Sequence, residues 1–168
     1  IVLPQGRFNN SSDKQIREFI AERCRILGVV GLHGNVFKPH TGTKTSVLLV
    51  QKWDEKLCPR VDDYPIFFAT MQQPSKDNSG DKIFLRKRDL PAKYQLKPEP
   101  DKYDQGVLPL DDAPVHYLNT PKDLDEYALD EHGHLIVKHD LFNHDGLTQD
   151  GIAEAFAQFA AKEGLSFF

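Results

Sequence analysis

Apolar residues recur along the start of the chain with the spacings of strands and helices. Residues 1–3 form a short apolar run closed by proline, which is typical of the end of a strand. Ser12 and Gln15 then stand in the order of a capping box, and the apolar positions after them predict a helix that runs to near Arg25. Those positions are Ile16, Phe19, Ile20, Cys24 and Leu27.

Three further apolar runs predict strands, at residues 26–32, 45–52 and 65–71. The short connection between the first two allows an antiparallel pair. This order of elements indicates the final part of an open α/β sheet, in which ligands lie beyond the carboxyl ends of the parallel strands. We therefore expect the two loops that leave that edge, residues 4–10 and 33–44, to contact any substrate.

The pattern divides the chain into three parts. Residues 1–71 carry the predicted sheet. Residues 72–118 are rich in proline, lysine and aspartate, and we expect an irregular insertion or linker there. Residues 119–168 form a helical carboxy-terminal segment. Within it we predict a short helix over 120–127 and a small strand over 134–137.

An amphipathic helix is predicted over residues 150–163, with Asp150 as its cap and Gly164 at its end. Its apolar face consists of Ile152, Ala153, Phe156, Phe159 and Ala160. We expect this face to pack on the helix's own domain, and docking on a partner protein is the alternative.

Charge is divided unevenly along the chain, although the net value is −4. Residues 1–102 carry 18 Lys and Arg against 12 Asp and Glu, and residues 103–168 carry 3 against 13. A polyanion such as DNA would be attracted to the first part and repelled by the second. Two differently solvated surfaces are the ordinary explanation, and charge alone favours it.

The two cysteines, Cys24 and Cys58, do not form a disulfide framework, so we expect free thiols in a reducing cytoplasm. No apolar run approaches the ~18 residues of a membrane span. No secretory signal opens the sequence. The chain begins as if inside a buried strand, and we therefore expect it to be a piece of a longer protein.

The motifs of the first 70 residues resemble those of one enzyme family. The sequence IVLPQG is followed by a helix that contains Ile16, Arg17 and Glu18, and then by ILGVVGLHGNVFKPHTGTKTSVLLVQK. This order resembles the modification subunit of type I restriction systems, with its V-x-P-x-G strand end, helix, G-L-P-x-x-x-F strand end and T-G-x-K-T loop. The tail, with GHLIVKHDLFNHDG, also resembles the family's end. His33 departs from the family, which has proline in G-L-P.

The resemblance implies the carboxy-terminal part of a Rossmann-like, S-adenosylmethionine-dependent DNA methyltransferase. Such an enzyme transfers the donor's methyl group to the exocyclic N6 amine of an adenine that has left the base stack. The implied partners are double-stranded DNA, a specificity subunit and a restriction subunit, in the cytoplasm of a bacterium or archaeon.

Two motifs of that family do not occur in these 168 residues: Asn-Pro-Pro-[Phe/Tyr], which holds the target base, and the glycine-rich turn that holds the donor. We therefore expect no catalytic and no cofactor-binding residue here, and an isolated chain that is inactive. The alternative function is that of a non-catalytic protein-interaction module in a DNA-processing complex.

The 33–44 loop carries most of the candidate site residues. Phe37 is expected either to stack on the extruded adenine or to plug the sheet edge as part of the core, and base–aromatic stacking is worth ~1–3 kcal/mol. Candidates for DNA phosphate contacts in or beside the loop are Lys38, Thr41, Thr43, Lys44 and Thr45, with a solvated loop as the alternative. Arg7 is a further candidate, although an ordinary surface arginine fits it better.

Two other patterns are interpreted as structural. Gly28, Gly31 and Gly34 have the spacing of a nucleotide fingerprint, but they interrupt a strand, so we interpret them as turns. A histidine-rich stretch suggests a metal site, yet no cysteine lies near it, and we expect surface and turn residues instead. Its members are His132, His134, His139, Asp140, His144 and Asp145.

Overall fold

The computed structural model describes residues 1–90, 126–148 and 150–165. These residues divide into two units, one made of Ile1–Ile83 with the residues from His139 on, and the other belonging to Phe84–Lys138. The first unit holds a four-stranded mixed sheet with α-helices, so the expected α/β class is confirmed. Among the described helices, none has the length and apolar character that a membrane span requires.

The strands are β1 (Val2–Pro4), β2 (Cys24–Gly31), β3 (Thr45–Lys52) and β4 (Phe67–Thr70). The α-helices are α1 (Gly6–Asn9), α2 (Lys14–Arg23) and α3 (Ile152–Lys162). Short 3₁₀ turns cover Ser11–Asp13, Lys87–Asp89 and His144–Gly146. Each strand predicted in the first 71 residues therefore forms, and β3 has its predicted bounds.

The strand order of the sheet is β1-β3-β2-β4. Strand β3 is antiparallel to both β1 and β2, whereas β2 and β4 are parallel. The antiparallel pair expected from the short connection is confirmed. Because β1, β2 and β4 all run in one direction, their carboxyl ends lie at one edge of the sheet.

Glycines in β2 let its neighbour come close. Gly28 and Gly31 lie within the strand, so the interpretation of these two as turns is wrong, while Gly34 does lie in a turn. Gly28 follows a register shift against β3, and a Cβ there would meet the Cβ and the carbonyl oxygen of Phe67 at 3.2 Å. The absence of a side chain thus allows β4 to pack against β2.

The start of α2 differs from the capping-box prediction. No side chain caps this helix, so Ser12 does not act as its cap. Asp13, which is buried, accepts a charge-assisted hydrogen bond of 2.6 Å from Arg7 Nη1 instead. The helix ends at Arg23 and β2 begins at the next residue.

The start of α3 also differs from its prediction. Gly151, with a φ of +142°, precedes the helix, and no side chain caps it. Asp150 therefore does not act as the cap; its Oδ2 lies 3.2 Å from His139 Nδ1. The predicted end is confirmed, since Gly164 adopts a φ of +61° just after the helix.

The first core forms between the sheet and α3. The Phe67 ring contacts Phe156 edge-on at 5.4 Å and lies 5.7 Å from the ring of Phe159, and Ala160 is buried. The expected packing of α3 on its own domain is thus confirmed. The apolar face of α2 is not buried as that of α3 is, because Ile16 and Phe19 are 53% and 56% exposed.

The second unit has a small core of its own. Leu85, Ala128 and Ile136 are buried there, and backbone hydrogen bonds join Leu85 to Ile136 and Ala128 to Leu85. The strand predicted over 134–137 is wrong, since this segment makes only isolated bridges. The helix predicted over 120–127 lies outside the described residues except for its last two.

Candidate functional site

The loops after β1 and β2 meet at the carboxyl edge of the sheet, as the sequence predicts. The backbone N–H of Gln5 donates to the carbonyl oxygen of Lys44 at 2.9 Å. At the base of the second loop, the N–H of Leu32 donates to the carbonyl oxygen of Thr45, also at 2.9 Å. Backbone hydrogen bonds thus close the 33–44 loop and attach it to the segment that follows β1.

Phe37 lies near the middle of this loop. Its carbonyl oxygen accepts a hydrogen bond of 3.1 Å from the N–H of Thr41, which forms a local turn. The residue is 38% exposed, so the aromatic ring is not part of the buried core. An aromatic face at this edge can stack on a planar ligand.

The polar candidates around Phe37 differ in how much of their bonding capacity is already used. Lys38 Nζ donates to the carbonyl oxygen of Asn78 at 3.2 Å, and the hydroxyls of Thr41 and Thr43 bond to each other at 3.0 Å. Lys44 is exposed, and its ammonium group has no ion-pair partner among the described residues. Lys44 is therefore the cation of this loop that is most available to an anion.

Thr45 and Arg7 are less available. The Thr45 hydroxyl is buried and has no hydrogen-bond partner within the described ranges. Arg7 binds the buried carboxylate of Asp13, while Arg17 Nη1 donates to the carbonyl oxygens of Arg7 and Asn10. These contacts fix the turn after β1, so Arg7, predicted as an ordinary surface arginine, is 56% exposed in its side chain but also holds a buried carboxylate.

A third segment at this edge was missed by the sequence analysis, which treated it as part of an irregular region. Residues 75–83 form a compact turn after β4 that contacts the 33–44 loop. The signal that could have found it is Asp77-Asn78-Ser79-Gly80, a sequence typical of a tight turn. The candidate site is therefore bordered by three segments rather than two.

The histidine-rich stretch forms pairs with carboxylates. His144 Nε2 lies 2.9 Å from Asp140 Oδ2, and His134 Nδ1 lies 3.2 Å from Asp130 Oδ2. Within the parts of the chain that the structure describes, no three His, Cys, Asp or Glu side chains are placed to share a metal ion. His132 and His134 are exposed, as surface residues are expected to be, whereas His139 and His144 are partly buried.

A groove of about 420 Å³ lies along β4 and the start of α3, with Phe68, Met71, Gly151 and Ile152 among its walls. None of the residues that line this groove belongs to the 33–44 loop. Its lining includes one charged side chain, that of Asp150.

Among the residues that the structure describes, two carboxylates have a pKa held below the usual 3.8, and neither belongs to the sheet edge. Backbone N–H groups of Leu57 and Lys56 lower the pKa of Asp54, and the backbone N–H of His134 is the main cause for Asp130. Both pKa values therefore report on tight turns.

Comparison with known proteins identifies the family. The model of the family described as N-6 DNA Methylase matches residues 1–103, which include the whole sheet and the three segments at its carboxyl edge. A comparison with curated protein sequences finds no significant match. Because the family model spans more than half of the 168 residues, the chain belongs to the N-6 DNA methylase family.

Proposed function

We propose that this chain forms the target-base edge of an S-adenosylmethionine-dependent DNA adenine-N6 methyltransferase. The observation that carries the proposal is the position of Phe37, which is 38% exposed in a loop anchored at the carboxyl edge of the sheet. Functional loops of open α/β sheets lie at that edge. Family membership supports the reaction class.

The chemistry explains why an aromatic ring is useful there. The exocyclic amine of adenine is a poor nucleophile, and the base must leave the duplex before a methyl donor can reach it. An extruded base loses its stacking, and an aromatic side chain restores ~1–3 kcal/mol of it. Phe37 stacks on or beside the extruded adenine in this proposal.

The neighbouring polar residues hold the DNA backbone. Lys44 and Lys38 offer ammonium groups, and Thr41 and Thr43 offer hydroxyls, to phosphates beside the extruded base. Lys44 makes the larger contribution, because Lys38 already donates to Asn78. Arg7 acts through its ion pair with Asp13, which fixes the first loop.

The chain supplies only part of such an enzyme. Residues 1–71 are the end of a Rossmann-like catalytic domain, residues 72–118 an insertion or linker, and residues 119–168 a carboxy-terminal segment. The exposed Ile16 and Phe19 of α2 support this, because an amphipathic helix in a complete domain covers such a face. The donor is held by segments outside this chain, and the chain alone is inactive.

The partners follow from the type I resemblance of the motifs. The complete enzyme works with double-stranded DNA, a specificity subunit that reads the sequence and a restriction subunit. The acidic residues 103–168 are unsuited to DNA and suited to contact a protein.

The product of the reaction tests the proposal. The full gene product, with its specificity subunit, is incubated with labelled S-adenosylmethionine and unmethylated duplex DNA, and the hydrolysed DNA is analysed by mass spectrometry. We expect N6-methyladenine. Methylated cytosine, or no methylated base in an assembly that binds the donor, would contradict the adenine-N6 assignment.

Donor binding separates the methyltransferase from a non-catalytic interaction module. Calorimetry with S-adenosylmethionine is carried out on this chain and on the full gene product. We expect binding only by the latter. Binding by neither would refute the methyltransferase, and binding by this chain would refute its status as a piece without the donor site.

A further inference from the structure

The turn formed by residues 75–83, which we name the clasp, is organised by its own side chains. Asp77 Oδ1 accepts hydrogen bonds from the backbone N–H groups of Ser79 and Gly80 at 2.8 Å and of Asp81 at 3.0 Å. The N–H of Ile83 donates to the carbonyl oxygen of Ser75 at 3.0 Å and closes the turn. The clasp therefore has a defined shape of its own.

The clasp holds the chain just before Phe37. Asn35 Nδ2 donates to the carbonyl oxygen of Lys76 at 3.0 Å and lies 3.4 Å from Asn78 Oδ1. This contact is partly buried, which strengthens it relative to one in water.

The clasp also holds the chain just after Phe37. Lys76 Nζ donates to the carbonyl oxygen of Lys38 at 2.9 Å in a partly buried contact, and Lys38 Nζ donates back to the carbonyl oxygen of Asn78 at 3.2 Å. The ammonium group of each lysine thus bonds to a backbone carbonyl oxygen of the segment that carries the other lysine. Hydrogen bonds from charged donors are stronger than neutral ones.

Gly80 brings the two segments into direct contact. Its φ is +101°, and a Cβ at this position would lie 2.6 Å from both the Cδ and the N of Pro39. No residue with a side chain fits there unless Pro39 moves away. The close approach therefore requires glycine for two reasons, its backbone conformation and the space.

We propose that the clasp sets the position of the Phe37 ring, and that Lys76 and Gly80 are positioning residues for the target adenine. The backbone is held on both sides of Phe37, while the residue itself is 38% exposed. A preorganised ring loses little freedom when a base stacks on it. This inference rests on the proposed role of Phe37 in base binding.

The variants that test it are Gly80→Ala and Lys76→Met in the full gene product. Gly133→Ala is the matched control for the first, because Gly133 also has a positive φ, of +81°, but nothing within 4 Å of a Cβ. Lys82→Met is the control for the second variant. Lys82 is exposed and lies opposite Lys76 in the same turn, so its replacement removes a lysine charge at a neighbouring position. Lys76→Met disturbs no backbone, so it tests the inference even if Gly80→Ala does not fold.

The first measurement is the rate of chymotryptic cleavage after Phe37 under native conditions. Both test variants should be cleaved about tenfold faster than the unmodified protein, because the loop opens more often without the clasp. Both controls should be cleaved at the unmodified rate. Equal cleavage of test and control variants would show that the clasp does not hold the loop, and would overturn the inference.

The second measurement is the single-turnover rate of methyl transfer to unmethylated duplex DNA, with the Kd for S-adenosylmethionine. The test variants should lose about tenfold in rate with an unchanged Kd, and should lose nothing further in a Phe37→Ala background. An equal loss in both backgrounds would show that the clasp does not act through Phe37. If cleavage accelerates but neither the clasp variants nor Phe37→Ala slow the reaction, the proposed role of Phe37 fails together with the inference, although the physical contact stands.

Discussion

The backbone N–H of Gln5 lies 2.9 Å from the carbonyl oxygen of Lys44, and this one hydrogen bond joins the loop after β1 to the end of the loop after β2. The two residues lie far apart in sequence, but β1 and β2 both pair with β3 and run in the same direction. The sheet topology therefore brings their following loops together. A main-chain contact of this kind depends on no particular side chain.

Gln5→Pro removes that hydrogen bond with little strain, because Gln5 has a φ of −54°, which proline accepts. We expect the free energy of unfolding to fall by about 1 kcal/mol, the net value of a hydrogen bond. Gln5→Ala, which keeps the N–H, serves as the control and should be nearly neutral. Urea denaturation measures both variants, and equal stabilities would contradict a role for this bond.

The contact between β4 and α3 predicts a large difference between two adjacent phenylalanines. Phe67 packs on Phe156 and Phe159, whereas Phe68 is 71% exposed. Phe67→Ala should destabilise the chain by about 2 kcal/mol, and Phe68→Ala by less than about 0.5 kcal/mol. Thermal or chemical denaturation measures both. Similar losses in the two variants would show that α3 does not pack on β4 as described.

Acid should weaken two turns. Because the pKa values of Asp54 and Asp130 are lowered in the folded chain, their carboxylates stabilise it above about pH 4. That stability is lost as the pH falls through the lowered folded-state pKa values. Asp54→Asn keeps an oxygen acceptor for Leu57 and Lys56 but cannot titrate. Urea titrations from pH 7 to about pH 3 should show a smaller loss in this variant than in the unmodified chain, and identical pH profiles would contradict the assignment.

The exposed face of α2 predicts different results in the short and long proteins. Ile16→Gln should change the stability of this chain by less than about 0.5 kcal/mol, because Ile16 is 53% exposed here. In the full gene product the same change should lower the free energy of unfolding by about 2 kcal/mol, because in the proposed enzyme another part of the protein packs on this face. Leu57→Gln, at a residue that is 85% exposed, is the control and should be neutral in both. Neutrality of Ile16→Gln in both proteins would count against a covered face.

Apolar runs in the sequence were sufficient to predict the strands. The apolar runs predicted every strand of the first 71 residues, and the short connection allowed the antiparallel pairing that β2 and β3 adopt. These features are local, and they follow from backbone geometry and from which faces are buried. The meeting of two loops at one edge followed from the same reasoning.

The misses have a common physical cause, which is competition from contacts that the local pattern does not reveal. Asp150 has the right identity for a cap but pairs with His139, and at the start of α2 the side chain of Asp13 bonds to Arg7 while Ser12 caps nothing. Gly28 and Gly31 lie in a strand because β4 approaches them closely, which their spacing alone does not reveal. The clasp was missed because its contacts with the 33–44 loop depend on how two irregular segments fold together.

The rate of methyl transfer by Phe37→Ala in the complete enzyme tests the account most directly. It is measured in a single turnover with saturating S-adenosylmethionine and unmethylated duplex DNA, and the donor's Kd is measured on the same preparation. We predict a loss of about tenfold or more in rate, since stacking is worth ~1–3 kcal/mol, together with an unchanged donor Kd. An unchanged rate would remove Phe37 from the target-base site and contradict the account.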